Sequence, residues 1–518
     1  MAEYGFRRWI ITFTVITAAL LELIDTTIVN VALPKIMGNL GATLEDANWI
    51  VTGYAVANVI ILPMSGWLGD RFGRKNYFLA SILIFTFASW LCGNSTSLNE
   101  LIAFRLLQGL AGGGLISTGQ AILLETWPPS EVGMATALFG LGAVVGPTVG
   151  PTIGGIITDA DGLNWKWIFY VNIPVGAIAA FCVSTFVRES PKYGQGKRVD
   201  WWGILFLAIG VGALQVILEK GEDKDWTQTW WITALIWVTI ISAVCFVWRE
   251  ISIDYPVVNF RILRHRSFFI GIFTSFVLGV ALYGSTFIFP VFCQNLLGFT
   301  AKQTGLILLP GGLATIFCMP FVGNMLKKGF PAQFLSAGGF VLFFIFCLML
   351  SSATLESGTG NFFWPLIVRG VGMAILFVPL TTLAIADLKG PEIGQGTGLN
   401  NMMRQLGGSF GIAIMTTIIH VRMGKNRAIL LENINPYNSA YSARDNQMVQ
   451  NFLAKGFPLE QAQQMAHQAM EGNIIRQTML TTYDSIYLLI GVFTLLCVPL
   501  IFFQPFKKKP VAMPVDAH

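Results

Sequence analysis

The chain has 518 residues, of which 54% are hydrophobic and only 12% charged, and its mean hydropathy is positive. A soluble protein keeps about a quarter of its residues charged, so half that share means most of this surface faces lipid. The net charge of +5 is modest and spread through short loops, which argues against nucleic acid as a partner.

Apolar runs long enough to cross a bilayer core of about 30 Å predict fourteen membrane helices. They lie near 9–32, 47–66, 76–93, 99–120, 133–157, 167–187, 202–220, 229–248, 268–292, 303–325, 333–352, 362–386, 398–420 and 482–503. Arg7 and Arg8 precede the first run in the manner of a signal peptide, but Glu22 and Asp25 follow at once and no small-residue cleavage site separates them, so this run reads as the first membrane helix.

Helix one carries its two acids three residues apart, hence on one face. A charge at a helix centre costs about 2.5–3.5 kcal/mol even on the lenient insertion scale, so such residues ask for a function. At ~1.5 Å per residue, Asp25 lies ~6 Å and Arg105 of helix four ~9 Å from the same outer edge. The two can therefore meet. A carboxylate and a cation that conformation makes or breaks would load and release a proton. Asp25, Glu22 and Arg105 are the proton-coupling candidates, set against a permanent ion pair that only ties helix one to helix four.

The loop after helix two, Gly66 to Lys75, joins a small-residue helix end to Asp70 and three cations. Asp70 is placed to face a neighbouring helix N-terminus or a basic side chain, a contact made in one conformation only, as a gate latch requires. Arg71, Gly73 and Arg74 belong to the same gating segment, although for the cations a plain topology signal is the simpler reading. Helix five holds Gly140, Gly142, Gly146, Pro147, Gly150, Pro151, Gly154 and Gly155. Glycines four apart let helices approach closely and prolines interrupt the backbone ladder, so a bend and a sealing surface are expected.

Helices seven and eight precede a stretch that echoes the first six. Glu131, Gly133, Thr136, Leu138, Gly146 and Gly150 match Glu392, Gly394, Thr397, Leu399, Gly407 and Gly411 at one offset of 261 residues (392 minus 131). The expected organisation is a six-helix half over 1–190, two inserted helices over 191–255 and a second half over 256–506, with a basic tail at 507–518. Parallel six-helix repeats place a substrate site between the halves at mid-membrane. Asn30, Tyr54, Asn58, Gln108, Gln294, Asn400 and Arg404 are the polar groups expected near that cavity, with ordinary interhelical hydrogen bonding as the alternative for each.

Segment 421–481 is the longest outside loop, amphipathic after Pro458 with Ala462, Met465, Ala466, Ala469 and Met470 on one face. A passive cap is its default role. Arg71, Arg74, Lys75, Arg188, Lys192, Lys197, Arg198, Arg249, Arg261, Arg264, Arg266, Lys327 and Lys328 fall in even-to-odd loops, with Arg7, Arg8 and Lys507 to Lys509 at the ends. The positive-inside rule then puts both termini in the cytoplasm. The seven cysteines lie in or beside apolar runs without metal-ligand spacing, and no metal or cofactor is expected. No phosphate-binding loop, zinc-protease motif or nucleophile elbow occurs, so neither an ATP motor nor an enzyme is expected.

Four motifs in order resemble the major facilitator superfamily, in its fourteen-helix drug:proton antiporter branch of the EmrB/QacA type. They are Leu23-Ile24-Asp25-Thr26-Thr27 through Pro34, Gly66-Trp67-Leu68-Gly69-Asp70-Arg71-Phe72-Gly73-Arg74-Lys75, Arg105-Leu106-Leu107-Gln108-Gly109, and Gly146-Pro147 through Gly154-Gly155. The resemblance implies an all-α membrane fold in a bacterial inner membrane. It further implies proton-driven export of amphipathic, often cationic drugs by alternating access, with Asp25 and Arg105 as coupling residues. A periplasmic adaptor and an outer-membrane channel are implied as partners. Exporters or floppases of fatty acids and other lipids belong to the same branch and form the alternative.

Overall fold

A computed structural model describes residues 3–160, 164–189, 199–254, 256–388, 390–432, 434 and 438–503. Lys192, Lys197, Arg198, Lys507 to Lys509, His518 and the tail 507–518 lie outside the described residues. Among the described residues fourteen helices are long and apolar enough to cross a membrane. We number them α1 (Gly5–Leu40), α2 (Trp49–Phe72), α3 (Arg74–Asn94), α4 (Leu98–Thr126), α5 (Val132–Asp159), α6 (Asn172–Phe186), α7 (Trp201–Lys220), α8 (Trp230–Ser252), α9 (Arg266–Asn295), α10 (Ala301–Lys327), α11 (Ala332–Leu350), α12 (Phe363–Ile385), α13 (Pro391–Glu432) and α14 (Leu459–Leu496).

Local sequence sets several of these ends. Gly41 stops α1 in the left-handed region at φ 63°, where a residue without Cβ meets no steric penalty. Thr300 and Gln303 form a reciprocal capping box at the start of α10. Gly73, at φ 89°, turns the chain between α2 and α3, so glycine is needed at this position of the gating loop.

Within α1–α6, α5 packs along α1 and α2 along α4; within α9–α14, α13 packs along α9 and α10 along α12. The two packings share a register. A Cβ added at Gly146 would press on Leu23 of α1, and one at Gly407 on Phe276 of α9. Gly150 and Gly411 meet Thr27 and Val280 in the same way, again 253 residues apart (276 minus 23, 280 minus 27). Close glycine faces, which membrane helices use because lipid supplies no hydrophobic drive between them, therefore recur on α5 and α13. The two six-helix groups meet chiefly through α5 on α10 and α2 on α13. Helix α7 lies against α2, and α8 lies against α7 with Trp230, Trp237, Trp248 and Ile251 outward.

Helix five runs as one helix from Val132 to Asp159 with Pro147 and Pro151 inside it. One expectation needs correction. Segment 421–481 is not a loop carrying a separate surface helix: α13 continues to Glu432, and α14 begins at Leu459, directly after Pro458. No breaker stronger than Gly424 stands between His420 and Glu432, and nothing stops the amphipathic stretch before the apolar one begins. At ~1.5 Å per residue α13 is about 63 Å long, twice the hydrocarbon core. A further helix, Ser439–Ala454, packs on α14, and Ala462, Ala466 and Met470 are buried as the amphipathic pattern predicts.

Candidate functional site

Asp25 and Arg105 form an ion pair whose side chains have no solvent exposure at all. The pair is enclosed by groups from five helices. Gln108, one turn after Arg105 on α4, donates Nε2 to Asp25 Oδ1 at 3.0 Å and accepts from Arg105 Nη1 at 2.7 Å. Asn172 at the start of α6 donates Nδ2 to the same Oδ1 at 3.0 Å. Ser89 of α3 accepts from Gln108 at 2.7 Å and from Asn172 at 3.3 Å. The guanidinium also donates Nε to the carbonyl of Ile50 at 3.3 Å and lies 4.1 Å from the Tyr54 ring centroid. Arg105 Nη2 has no hydrogen-bond partner among the described residues. Each group thus holds the other in a fixed geometry, which is what a buried pair needs to offset its desolvation.

Glu22 sits one turn below Asp25, 1% exposed. Its Oε1 accepts from Asn58 Nδ2 at 2.7 Å and from Tyr54 Oη at 3.3 Å, while Oε2 has no partner. The two acids of α1 therefore occupy different settings: Asp25 is neutralised by a cation and Glu22 is not.

At the end of the bundle where α1 begins, which we term the terminal face, the helix groups are in contact. Gly66 of α2 lies against the backbone of Gly394 and Gln395 in α13, and Gly133 of α5 against Leu326 of α10. Arg74 is the hub here. It is 2% exposed, pairs with Glu125 of α4 and with Asp70 at 3.6 Å, and donates Nη2 to the carbonyl of Gly390 at 3.3 Å. Arg74 makes that bond to the far side, and the Asp70 carboxylate is itself hydrogen-bonded to the Gln395 side chain of α13. Its burial shows it to be more than a topology signal, since only a packed environment accepts a guanidinium this enclosed. Arg71 by contrast lies over the Trp67 ring at 5.6 Å. Glu131 adds a second bridge, accepting from Arg8 at 3.0 Å and from Lys327 at 2.6 Å.

The remaining predicted residues scatter. Gly146, Gly150 and Gly154 press on Leu23, Thr27 and Ile28 of α1, and Gly155 has open space where a Cβ would go; Pro147 lies within α5 between these contacts. Asn30 and Gln294 are exposed, away from the buried cluster. Tyr54, Asn58 and Gln108 are engaged with the two carboxylates. Asn400 Oδ1 accepts from Ser275 at 2.6 Å, and Arg404 Nη2 donates to Asn401 Oδ1 at 2.6 Å. Sequence reasoning missed Asn172 and Ser89. An amide inside the apolar sixth run is the signal that marked Asn58, and it applied equally to Asn172.

Residues 15–412 match the family described as Major Facilitator Superfamily. The chain belongs to this superfamily. It is 34% identical to the Multidrug export protein EmrB of Escherichia coli K12 over 448 residues, covering 86% of each protein. It is 32% identical to the Fatty acid resistance protein FarB of Neisseria gonorrhoeae over 86% of this chain and 87% of that one. The crystal structure of the human organic anion transporter MFSD10 matches 95% of this chain and 100% of its own with a TM-score of 0.58 at 14% identity, a likeness of fold alone. The superfamily fold is thus all-helical, multi-pass and built for transport, and the Asp25–Arg105 cluster lies inside the matched region.

Proposed function

We propose that this chain is a proton-driven secondary exporter, an antiporter that moves amphipathic drugs or toxic organic compounds by alternating access. The carrying observation is the fully buried Asp25–Arg105 pair with its Gln108, Asn172 and Ser89 shell, in a chain similar to multidrug exporters. Proton arrival at Asp25 dissolves the ion pair and frees Arg105; proton loss restores it. Such a group has two states, and the contacts of the terminal face give the protein two arrangements for those states to bias. The latch residues in this reading are Gly66, Asp70, Arg74 and Glu131.

The same reading assigns α1–α6 and α9–α14 as two halves with α7 and α8 inserted, and places the chain in a bacterial inner membrane with both termini cytoplasmic. The α13 and α14 extensions then stand outside the bilayer, where a periplasmic adaptor leading to an outer-membrane channel would bind. The similarity to FarB favours a second reading, export of fatty acids on the same machinery. The test is proton movement in proteoliposomes when a lipophilic cation or a fatty acid is added. Drug-triggered proton flux that disappears in Asp25→Asn is the expected result. Flux that survives in that variant removes Asp25 from the mechanism, and a response to fatty acid alone selects the second reading.

A further inference from the structure

A buried carboxyl group on α1, Glu22, and a buried guanidinium on α13, Arg404, do not close on each other. Glu22 is 1% exposed and Arg404 4% exposed. Among the described residues Glu22 Oε2 and Arg404 Nη1 each lack a hydrogen-bond partner, although the Tyr283 hydroxyl of α9 also bonds the Arg404 guanidinium. The two side chains act on each other electrostatically, yet no ion pair joins them among the described residues. The neighbouring charge of Asp25 is matched by Arg105, whereas Glu22 and Arg404 are held by neutral groups alone.

Their separation follows from how each is held. Asn58 and Tyr54 fix Glu22 by Oε1 from α2. Asn401 fixes Arg404 by Nη2, and Asn401 is itself tied to Gln120 of α4 at 2.9 Å. In a medium of low dielectric, free side chains of opposite charge would collapse into contact; these are anchored from opposite sides and cannot. Two further unpartnered atoms, Asn58 Oδ1 and Asn400 Nδ2, add an acceptor and a donor. Phe377, whose ring centroid lies 4.9 Å from the Arg404 guanidinium, supplies an aromatic wall.

We propose that Glu22 and Arg404 form a two-charge receptor for amphoteric substrates, molecules that carry a cationic nitrogen and an anionic group on one aromatic frame. This rests on the export reading and narrows its substrate class. The cationic nitrogen meets Glu22 Oε2 and the anionic group meets Arg404 Nη1, so one molecule satisfies both stranded charges. A simple lipophilic cation satisfies Glu22 alone and is repelled by Arg404. A simple anion meets the reverse. The receptor accordingly ranks zwitterions above either single charge.

The test is equilibrium binding to the full chain in lipid nanodiscs at neutral pH, with norfloxacin as zwitterion, tetraphenylphosphonium as cation and tetraphenylborate as anion. Arg404→Gln should weaken norfloxacin tenfold or more and tighten tetraphenylphosphonium several-fold. Glu22→Gln should weaken both of these tenfold and tighten tetraphenylborate. This crossed pattern is one that damage to the pocket does not produce. Affinities for all three probes that fall together in both variants, or do not change, overturn the receptor. Arg404→Met, of similar volume, is read by the same criteria if Arg404→Gln does not purify as a folded protein. Proton movement driven by tetraphenylphosphonium in vesicles tests export separately. Its absence beside a crossed binding pattern overturns antiport and leaves the receptor; its presence beside an uncrossed pattern overturns the receptor alone.

Discussion

Gly66→Ala should open the terminal face. An added Cβ would lie 2.5 Å from the backbone nitrogen of Gln395, 2.6 Å from its Cα and 2.6 Å from the carbonyl carbon of Gly394. Ordinary contact between such atoms is about 3.5 Å, so α2 and α13 must part by about 1 Å. The obstructing atoms are all backbone, and no rotamer change relieves them. Overpacking of this kind costs about 1–3 kcal/mol, and only the arrangement in which these helices touch bears that cost. The equilibrium should therefore move about 5–150-fold toward the arrangement in which they are apart. Spin labels at Asn76 and Lys328, exposed positions on the two sides of this face, in a cysteine-free background, report it as a new long-distance population. Transport should fall in parallel. Gly338→Ala serves as the control, since nothing lies within 4 Å of its added Cβ. An unchanged distance distribution with wild-type transport in Gly66→Ala would refute the view that this glycine contact defines the closed state.

Other outcomes follow from the same geometry. Asn172→Ala removes one donor from Asp25 Oδ1 and should cost about 1–3 kcal/mol, as buried charged hydrogen bonds do, seen as a lower unfolding midpoint and a changed pH profile of proton flux. Arg74→Ala removes the cation that Glu125 and Asp70 share at a site that is 2% exposed; the loss should be about 3–5 kcal/mol, and Arg74→Lys should restore little of it, because one ammonium cannot reach all three partners. Glu131→Gln weakens its partly exposed pairs with Arg8 and Lys327 and should cost under about 1 kcal/mol, detectable as a salt-insensitive distance distribution where the wild type responds to salt.

The sequence made the spanning helices legible because an apolar run of about twenty residues has one outcome in lipid, where every backbone group must be satisfied within its own helix. Helix ends were less legible. Nothing in a hydropathy window tells where a helix stops once it leaves the membrane, so the continuation of α13 to Glu432 falls in the expected loop, and the amphipathic stretch after Pro458 gives no sign that it is continuous with the last membrane helix. Charges in apolar helices stood out for the same reason as the helices, and Asp25, Glu22 and Arg105 were found by cost alone. Neutral partners carry a smaller penalty and a weaker signal. Ser89 resembles any serine that bonds back to its own helix, and indeed its Oγ donates to the carbonyl of Phe85 at 2.9 Å; its second role, accepting from Gln108, depends on α3 lying beside α4. Arg74 was misjudged because a cation at a helix end is the commonest topology signal, and only its burial reveals the hub.

The matched registers of α5 on α1 and α13 on α9 make the differences between the two groups informative. By the 253-residue separation that pairs Leu23 with Phe276, Asp25 corresponds to Leu278 and Glu22 to Ser275. Arg369 lies in the first half of α12 as Arg105 does in α4, and it too is buried, but its hydrogen bonds go to the hydroxyls of Ser285, at 3.0 Å, and Thr286. A guanidinium bonded to hydroxyls keeps its partners near neutral pH, because neither alcohol ionises there. One bonded to a carboxylate changes partners each time the acid takes a proton. The fold thus repeats a buried arginine twice and supplies a titratable partner once. In the proposed mechanism proton chemistry is therefore confined to α1–α6, while the second arginine ties α12 to α9 as a fixed joint.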